Sequence, residues 1–324
     1  MEPKSIAFYT AVAVSILAVL SATTFPTLVQ AQPTDDADVP AQAAEEDNET
    51  TMTEEDNGVN EETEEETGED SKTNSNDNGA ASQSPLGLTT NSGVASCGET
   101  VTEDVTLTSD LNCGPGDGLT VAASGVTINL NGYSISSSDE AGSEDPSMDY
   151  DGSSGILVAN ADDVDITGLG EIDGFDRGIT FMGSSGGQVT DLQLANNGIG
   201  VLMSGSEATE ISRNTLTNNG MAVISDSSNH GVIAFNQVVA NLEQGMLFLG
   251  SDLNTVAANN MFGNGENGIY LDILSNENTI DFNTVFGHEV SDLNNDDGRS
   301  TNVNQNNFGE NNNCGTSLPG GLCR

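Results

Sequence analysis

The densest group of chemically able side chains is the run Ser138 to Asp151, which holds six carboxylates and one tyrosine. Carboxylate oxygens on a pliable backbone can wrap a hard cation, so Asp145, Asp149 and Asp151 are the expected ligands of a calcium ion; a solvated acidic loop is the alternative. A second segment, Asp292-Leu293-Asn294-Asn295-Asp296-Asp297-Gly298, has calcium-loop composition, but its glycine stands one place late for an EF-hand. Four cysteines, Cys97, Cys113, Cys314 and Cys323, all lie within residues 93–324. An even count in an exported chain points to disulfides, and the local pairs 97–113 and 314–323 would each staple one end. No Cys-x-x-Cys spacing occurs and neither histidine lies near a cysteine, which argues against a cysteine metal site.

The elements that would position such groups follow from a repeat. Ile166, Val189, Ile211, Ile233, Val256, Ile280 and Val303 recur at separations of 23, 22, 22, 23, 24 and 23 residues. A fixed period of this kind marks a stacked solenoid. The period is too short, and too rich in Val, Ile, Thr and Asn, for helical hairpins. One repeat reads Gly-Val-Leu-Met-Ser, then Glu-Ile-Ser-Arg-Asn, then Thr-Leu-Thr-Asn-Asn-Gly: three strand-like pieces separated by turn residues. The spacing predicts an all-β chain, a right-handed parallel β-helix of about eight rungs that starts near Val126 or slightly earlier and ends near Asn313. Two more inward columns keep step, Leu194 to Phe308 and Ile156 to Ile269.

Asparagine ladders accompany the columns, one through Asn214, Asn236, Asn259, Asn283 and Asn306, another through Asn197, Asn219, Asn241, Asn264, His288 and Asn311. Two physical roles are open to them: tolerance of left-handed backbone at tight bends, and amide hydrogen bonds from rung to rung. If Val201 and Met203 point inward, the residues between successive inward positions point out. That outer column runs Leu157, Thr180, Leu202, Ile224, Leu247, Tyr270. It is apolar for so acidic a chain, and exposed apolar surface marks a contact site, with cover by the protein's own loops or tail as the alternative. Leu202, Ile224, Leu247 and Tyr270 are the expected ligand-binding residues, Tyr270 by stacking on a sugar.

Residues 1–31 have the form of a secretory signal: Lys4, an apolar run from Ile6 to Leu20, and Val29-Gln30-Ala31 as cleavage site. A retained anchor is the alternative, although the run is short for a membrane span and Pro26 interrupts its flank. Residues 32–92 form a low-complexity tail with 18 Asp and Glu against the single Lys72, a composition that favours an extended, disordered spacer. Residues 93–324 are the expected β-helix domain. They carry 32 acidic residues against four arginines and no lysine, which excludes nucleic acid as a partner.

The stretch Cys97-Gly98-Glu99-Thr100 to Leu111-Asn112-Cys113, then Gly118-Leu119-Thr120-Val121 and Val126-Thr127-Ile128-Asn129-Leu130-Asn131-Gly132, resembles the entry of secreted right-handed β-helix proteins of the pectin-lyase-like superfamily. The resemblance covers roughly residues 95–313 and implies the fold. It implies no single activity, because that superfamily includes polysaccharide lyases, hydrolases, epimerases, surface proteins and a periplasmic copper-delivery accessory protein. Its lyases and epimerases use a basic Arg or Lys, or a Tyr/His pair, beside carboxylates that hold calcium. Arg177, in Gly174-Phe175-Asp176-Arg177-Gly178, is the corresponding candidate, with Asp173 or Asp176 as its carboxylate; a surface salt bridge is the competing account. Asp162-Asp163 and Gly287-His288-Glu289 only half match the hydrolase motifs. Scattered methionines and two distant histidines make a poor copper site.

These features together describe an exported, extracellular or cell-surface β-helix module that binds carbohydrate or another surface component without a clear catalytic set. Calcium is the one cofactor suggested, and no membrane span is expected after signal cleavage. A lyase or epimerase acting on uronate polymers, and a structural rod on an acidic stalk, are the alternatives.

Overall fold

The structure, a computed structural model, describes residues 95–138, 152–296 and 305–323. The expectations for the signal, the acidic tail and the loop with Asp145, Asp149 and Asp151 lie outside the described residues. Each coil contributes one strand to each of three parallel sheets, called A, B and C here. In one coil these are Ile199–Ser204 in A, Glu210–Ser212 in B and Thr215–Thr217 in C. Sheet A has ten strands and sheets B and C nine each, and every strand pairs with those three places before and after it. This is the expected parallel β-helix, with about nine turns rather than eight because the array already begins at Glu99–Val101.

Inward positions stack like on like. Ile166, Val189, Ile211, Ile233, Val256 and Ile280 are in register in sheet B and essentially fully buried. Leu194, Leu216, Val238, Met261 and Val285 do the same in sheet C. Each such side chain contributes about 1.5–3 kcal/mol through loss of apolar surface to water, and branched chains suit the pleated wall. Both expected disulfides are present, Cys97–Cys113 and Cys314–Cys323.

The asparagine ladders are hydrogen-bonded spines. The backbone N and Nδ2 of Asn214 both donate to Asn236 Oδ1, at 2.9 and 3.2 Å, while Nδ2 also donates to Val189 O at 2.8 Å. Asn236 repeats this with Asn259, and Asn259 with Asn283. A second spine runs Asn197, Asn219, Asn241, Asn264, and a third, which the sequence pattern had not revealed, runs Asn254, Asn278, Asn306. The left-handed backbone expected of these asparagines belongs instead to their predecessors: φ is 59° at Arg213, 60° at Phe235, 57° at Ala258 and 59° at Phe282. The division is sensible, because a residue at the bend points away from the core while the next turns its amide inward to the unpaired backbone groups of the bend.

The register of the last coil also departs from the sequence reading. Ile280 pairs with Phe308 and Val285 with Cys314, so Phe308 belongs to sheet B rather than sheet C, and Val303 lies outside the described residues. Asn306 continues the third spine at a separation of 28 residues and Asn312, not Asn306, follows Asn283. A coil longer than its predecessors by several residues shifts every position downstream, which a fixed period cannot anticipate.

Neighbouring residues give a test. Asn236→Leu should lower stability by about 2–4 kcal/mol, since it strands the Asn214 N–H and the Ile211 carbonyl in a dry wall. Ala258→Gly, at the left-handed bend, should raise it by about 1 kcal/mol. Urea denaturation of both variants decides; a stabilising Asn236→Leu or a destabilising Ala258→Gly would reverse the assignment.

Candidate functional site: the outer face of sheet A

The strands of sheet A kink at a small residue. Arg177 pairs with Ile199 and Ile179 with Val201, while Gly178 and Gly200 between them drop out of register. A Cβ on Gly200 would meet Ala222 O at 2.6 Å and Leu216 Cδ2 at 3.0 Å, so this position faces the packed interior. The kink returns the preceding residue to the outside. Ile199 and Met221 therefore share the outer face with Leu202, Ile224 and Leu247, and together form a small apolar cluster separate from the main core. Leu202 is 2% and Ile224 0% exposed. This corrects the expectation of an open apolar column: its middle is buried because residues three apart converge on it, while Leu157 at one end and Leu247 and Tyr270 at the other are half-buried.

Toward the C-terminal end the same rows become polar. Asn267, buried, donates from its backbone N and Nδ2 to Gln244 Oε1 at 3.2 and 3.0 Å. Its Oδ1 accepts from Ser291 Oγ at 2.7 Å and from Asn294 Nδ2 at 3.2 Å. Gln244 Nε2 donates to Glu266 Oε2. Beside this network, Tyr270 donates its hydroxyl to Asp296 Oδ2 at 2.6 Å. Burial first, then the bond to Asp296 and the charges of Asp296 and Asp272, push the phenol well above its ordinary value. A half-buried ring and the Asp296 carboxylate thus lie beside a buried, mutually hydrogen-bonded set of amides and a serine hydroxyl. Tyr270 was legible in the sequence; the amide row was not, because its members occupy the position before the kink, where earlier coils carry Ile199 and Met221.

The other candidates are placed as follows. Arg177 is buried and opens a strand of sheet A, whereas Asp173 ends a strand of sheet C. The Asp176 carboxylate accepts from the Ser153 backbone N at 2.7 Å and Oγ at 2.9 Å. Burial, and then Glu171, raise the Asp173 carboxyl above its usual range. The exposed ion pair is Arg213 with Asp191, at 3.0 Å. The supposed calcium loop after Asp292 is, through Asn295, a strand of sheet A, and Asp292 Oδ2 accepts from the backbone of Gly315 and Thr316 at 2.8 and 2.9 Å. That carboxylate fastens the C-terminal segment. Among the described residues, no three His, Cys, Asp or Glu side chains gather closely enough to hold a metal ion.

The three-sheet coil architecture defines a right-handed parallel β-helix protein. Within that class, the family model described as "Periplasmic copper-binding protein (NosD)" matches residues 115–319, and the chain belongs to this family. No curated protein matches the chain. Among solved structures, the alginate lyase from Paenibacillus sp. str. FPU-7 is 16% identical with a TM-score of 0.42, over 66% of this chain and 91% of that one. The periplasmic alginate epimerase AlgG is 14% identical with a TM-score of 0.39, over 63% and 61%. DFA-IIIase from Arthrobacter chlorophenolicus A6 is 18% identical with a TM-score of 0.44, over 53% and 41%. The chain thus spans only about two fifths of the DFA-IIIase and three fifths of the epimerase.

Copper would call for clustered sulfur or imidazole ligands. Among the described residues the cysteines are disulfide-bonded, Met203, Met246 and Met261 are core side chains, and His230 sits at a left-handed bend. His288 replaces an amide in the second spine: its Nδ1 accepts the Asn264 backbone N–H at 3.2 Å, as an asparagine oxygen does elsewhere. The described residues do not fit a copper site.

His288 gives a pH signature. Burial is the main influence and lowers its basicity, partly opposed by Asp292 and by the backbone of Asn264 and Met261, while Nε2 closes no hydrogen bond of ordinary geometry. The unfolded chain therefore binds the proton first. Stability falls as pH drops below about 6.5 towards the folded value, and this contribution levels off below it. In His288→Asn, which restores the ladder amide, thermal melting should lose less between pH 7 and pH 5 than in the parent. Identical pH slopes in the two proteins would refute the buried neutral imidazole.

Proposed function

We propose that the chain is an exported β-helix module that binds a polysaccharide, or a similarly hydroxyl-rich surface component, along the C-terminal half of the outer face of sheet A, without catalysis there. The observation that carries this reading is the half-buried Tyr270 ring set beside the Gln244–Asn267–Ser291–Asn294 network. The amides of that network are buried and bonded to one another, so the contact offered to a ligand is the ring, which packs against the apolar face of a sugar. The family's periplasmic description supports export. The signal-like residues 1–31 serve that export, and the acidic residues 32–92 act as a spacer.

The uronate lyase or epimerase reading is less well served by the same face. The Tyr270 phenol is held protonated by burial, Asp296 and Asp272, the reverse of what a tyrosine base needs. Those carboxylates also repel a polyuronate.

Affinity electrophoresis and calorimetric titration of the mature chain against soluble polysaccharides provide the test. Tyr270→Ala should weaken binding about tenfold, the worth of one aromatic contact, while Tyr270→Phe keeps most of it. Undiminished binding in Tyr270→Ala would displace the site from this face. Release of new reducing ends or unsaturated uronates would replace the binding reading with the enzymatic one.

A further inference from the structure

The protein's acidity is unevenly distributed, and the exception is the outer face of sheet C. Its strands from Gln193–Ala195 to Asn313–Cys314 contain no ionisable side chain apart from the disulfide-bonded Cys314, although residues 93–324 carry 32 acidic residues. Two outward columns make up this face. One is Gln193, Thr215, Gln237, Asn260, Thr284, all amide or hydroxyl. The other is Ala195, Thr217, Val239, Phe262, Phe286, in the same registers. The adjoining left-handed bends at Asn218, Ala240, Gly263 and Gly287 are uncharged too. The boundary on the N-terminal side is sharp: Glu171 and Asp173 hold the corresponding places one coil earlier, and Glu171 Oε1 accepts from Gln193 Nε2 at 2.8 Å.

Phe262 and Phe286 are stacked on successive rungs, with ring centroids 6.4 Å apart and planes 20° from parallel. Phe262 is 37% exposed, unusual for a ring on an open sheet, and Phe286 is half-buried. Beside them stand Asn260 and Thr284, two residues back along the same strands and on the same face.

We infer that this face is a second binding surface, specific for an uncharged polysaccharide lying along the helix axis, across the strands. The inference rests on the reading of the chain as a glycan-binding module and adds to it a substrate class and a separate site. Rungs repeat about every 4.8 Å, close to the length of one sugar in an extended chain, so successive sugars meet a ring or apolar residue on one side and an amide or hydroxyl on the other. Electrostatics select the ligand. A polyanion is repelled by the excess of carboxylates over arginines. A polycation would be drawn to the carboxylates of other faces, such as Glu210 and Asp281 on sheet B, rather than to the six strands of sheet C without them. A second copy of the chain brings its own −45 formal charge, and two outward residues per strand offer a narrow track rather than a broad interface.

The test is titration of the full mature chain, at fixed ionic strength, with uncharged polymers (xylan, mixed-linkage β-glucan, dextran) and with polyuronates (alginate, polygalacturonate). At least one uncharged polymer should bind more tightly than either polyuronate. Phe262→Ala/Phe286→Ala should weaken that binding about tenfold or more. The near-isosteric Asn260→Asp and Gln237→Glu, which place charge on the track with little effect on the fold, should weaken it as well; melting curves confirm that each variant is folded. Binding of uncharged polymer that survives these variants but is lost in Tyr270→Ala would overturn the sheet C site and leave the module reading intact. Preference for polyuronates would also overturn it. Failure to bind any polymer would overturn both.

Discussion

A chain that turns three corners per coil must find partners for the backbone groups at every corner, and the inward asparagine amide is what supplies them. Each such amide accepts two N–H groups from the coil before it and donates to a carbonyl within the wall. For Asn236 the two donors are the Asn214 backbone N and Nδ2, and its own Nδ2 donates to Ile211 O at 2.8 Å. An unsatisfied backbone group in this dry interior would cost about 1–3 kcal/mol, and there are such groups at every bend. Serines perform the same service at the corner after sheet A, where Ser206 N donates to Ser228 Oγ at 2.9 Å and Ser228 N to Ser251 Oγ at 3.0 Å. The apolar columns supply most of the driving force for folding, but the amide spines permit such tight corners and so fix coil length and register.

That constraint frees the outside. Because the core and many corners are satisfied by neutral amides and hydroxyls, outward residues are nearly independent of the fold, and the three sheets have acquired different surfaces. Sheet A presents a closed apolar cluster that gives way to an amide network around Asn267. Sheet B carries scattered carboxylates, among them Asp165 and Asp281. The Asp165 carboxyl is raised by burial, Asp163 and Asp104, a sign of how closely like charges stand there. Sheet C is neutral over most of its length. Self-repulsion of so many carboxylates favours an extended shape, and a solenoid accommodates it better than a globule by spreading charge along its axis.

How much of this was legible follows from the same division. Ile211 and Leu216 repeat because packing leaves little choice at an inward position, so fold class, inward columns and end disulfides could all be read from spacing. The assignment of bend and spine was blurred because both roles favour asparagine: Asn218 takes the left-handed bend and Asn219 the spine, side by side. Phe235 and Phe282 at left-handed bends broke the expected preference altogether. Leu202 and Ile224 were read as exposed because strict alternation was assumed, whereas the kink at Gly200 brings Ile199 to the same side and buries them. The network at Gln244, Asn267 and Ser291 was invisible for the same reason, since alternation assigns those positions inward. The neutral track on sheet C was visible in principle, as a run of Gln, Thr and Asn one residue before each inward Leu, Val or Met, but only charge in its context makes it stand out.

Membership of a family described by copper binding meets this molecule at the same division between inside and outside. Positions that must recur for a β-helix to close are inward ones, and at Ile172, Leu194, Leu216 and Val238 their chemistry is set by burial. Outward positions, where any ligand must be met, change along the helix: Thr180, Leu202, Ile224, Leu247, Tyr270 and Asn294 share one register but pass from hydroxyl through apolar to aromatic and amide. A shared fold therefore transmits the scaffold and its corners but not the groups laid upon it. Here those groups are amides, hydroxyls and rings. Soft metals favour thiolate, thioether and imidazole, whereas amides, hydroxyls and rings suit hydroxyl-rich chains. The proposal of a glycan ligand therefore rests on the outward residues of this chain rather than on the scaffold it shares with its family.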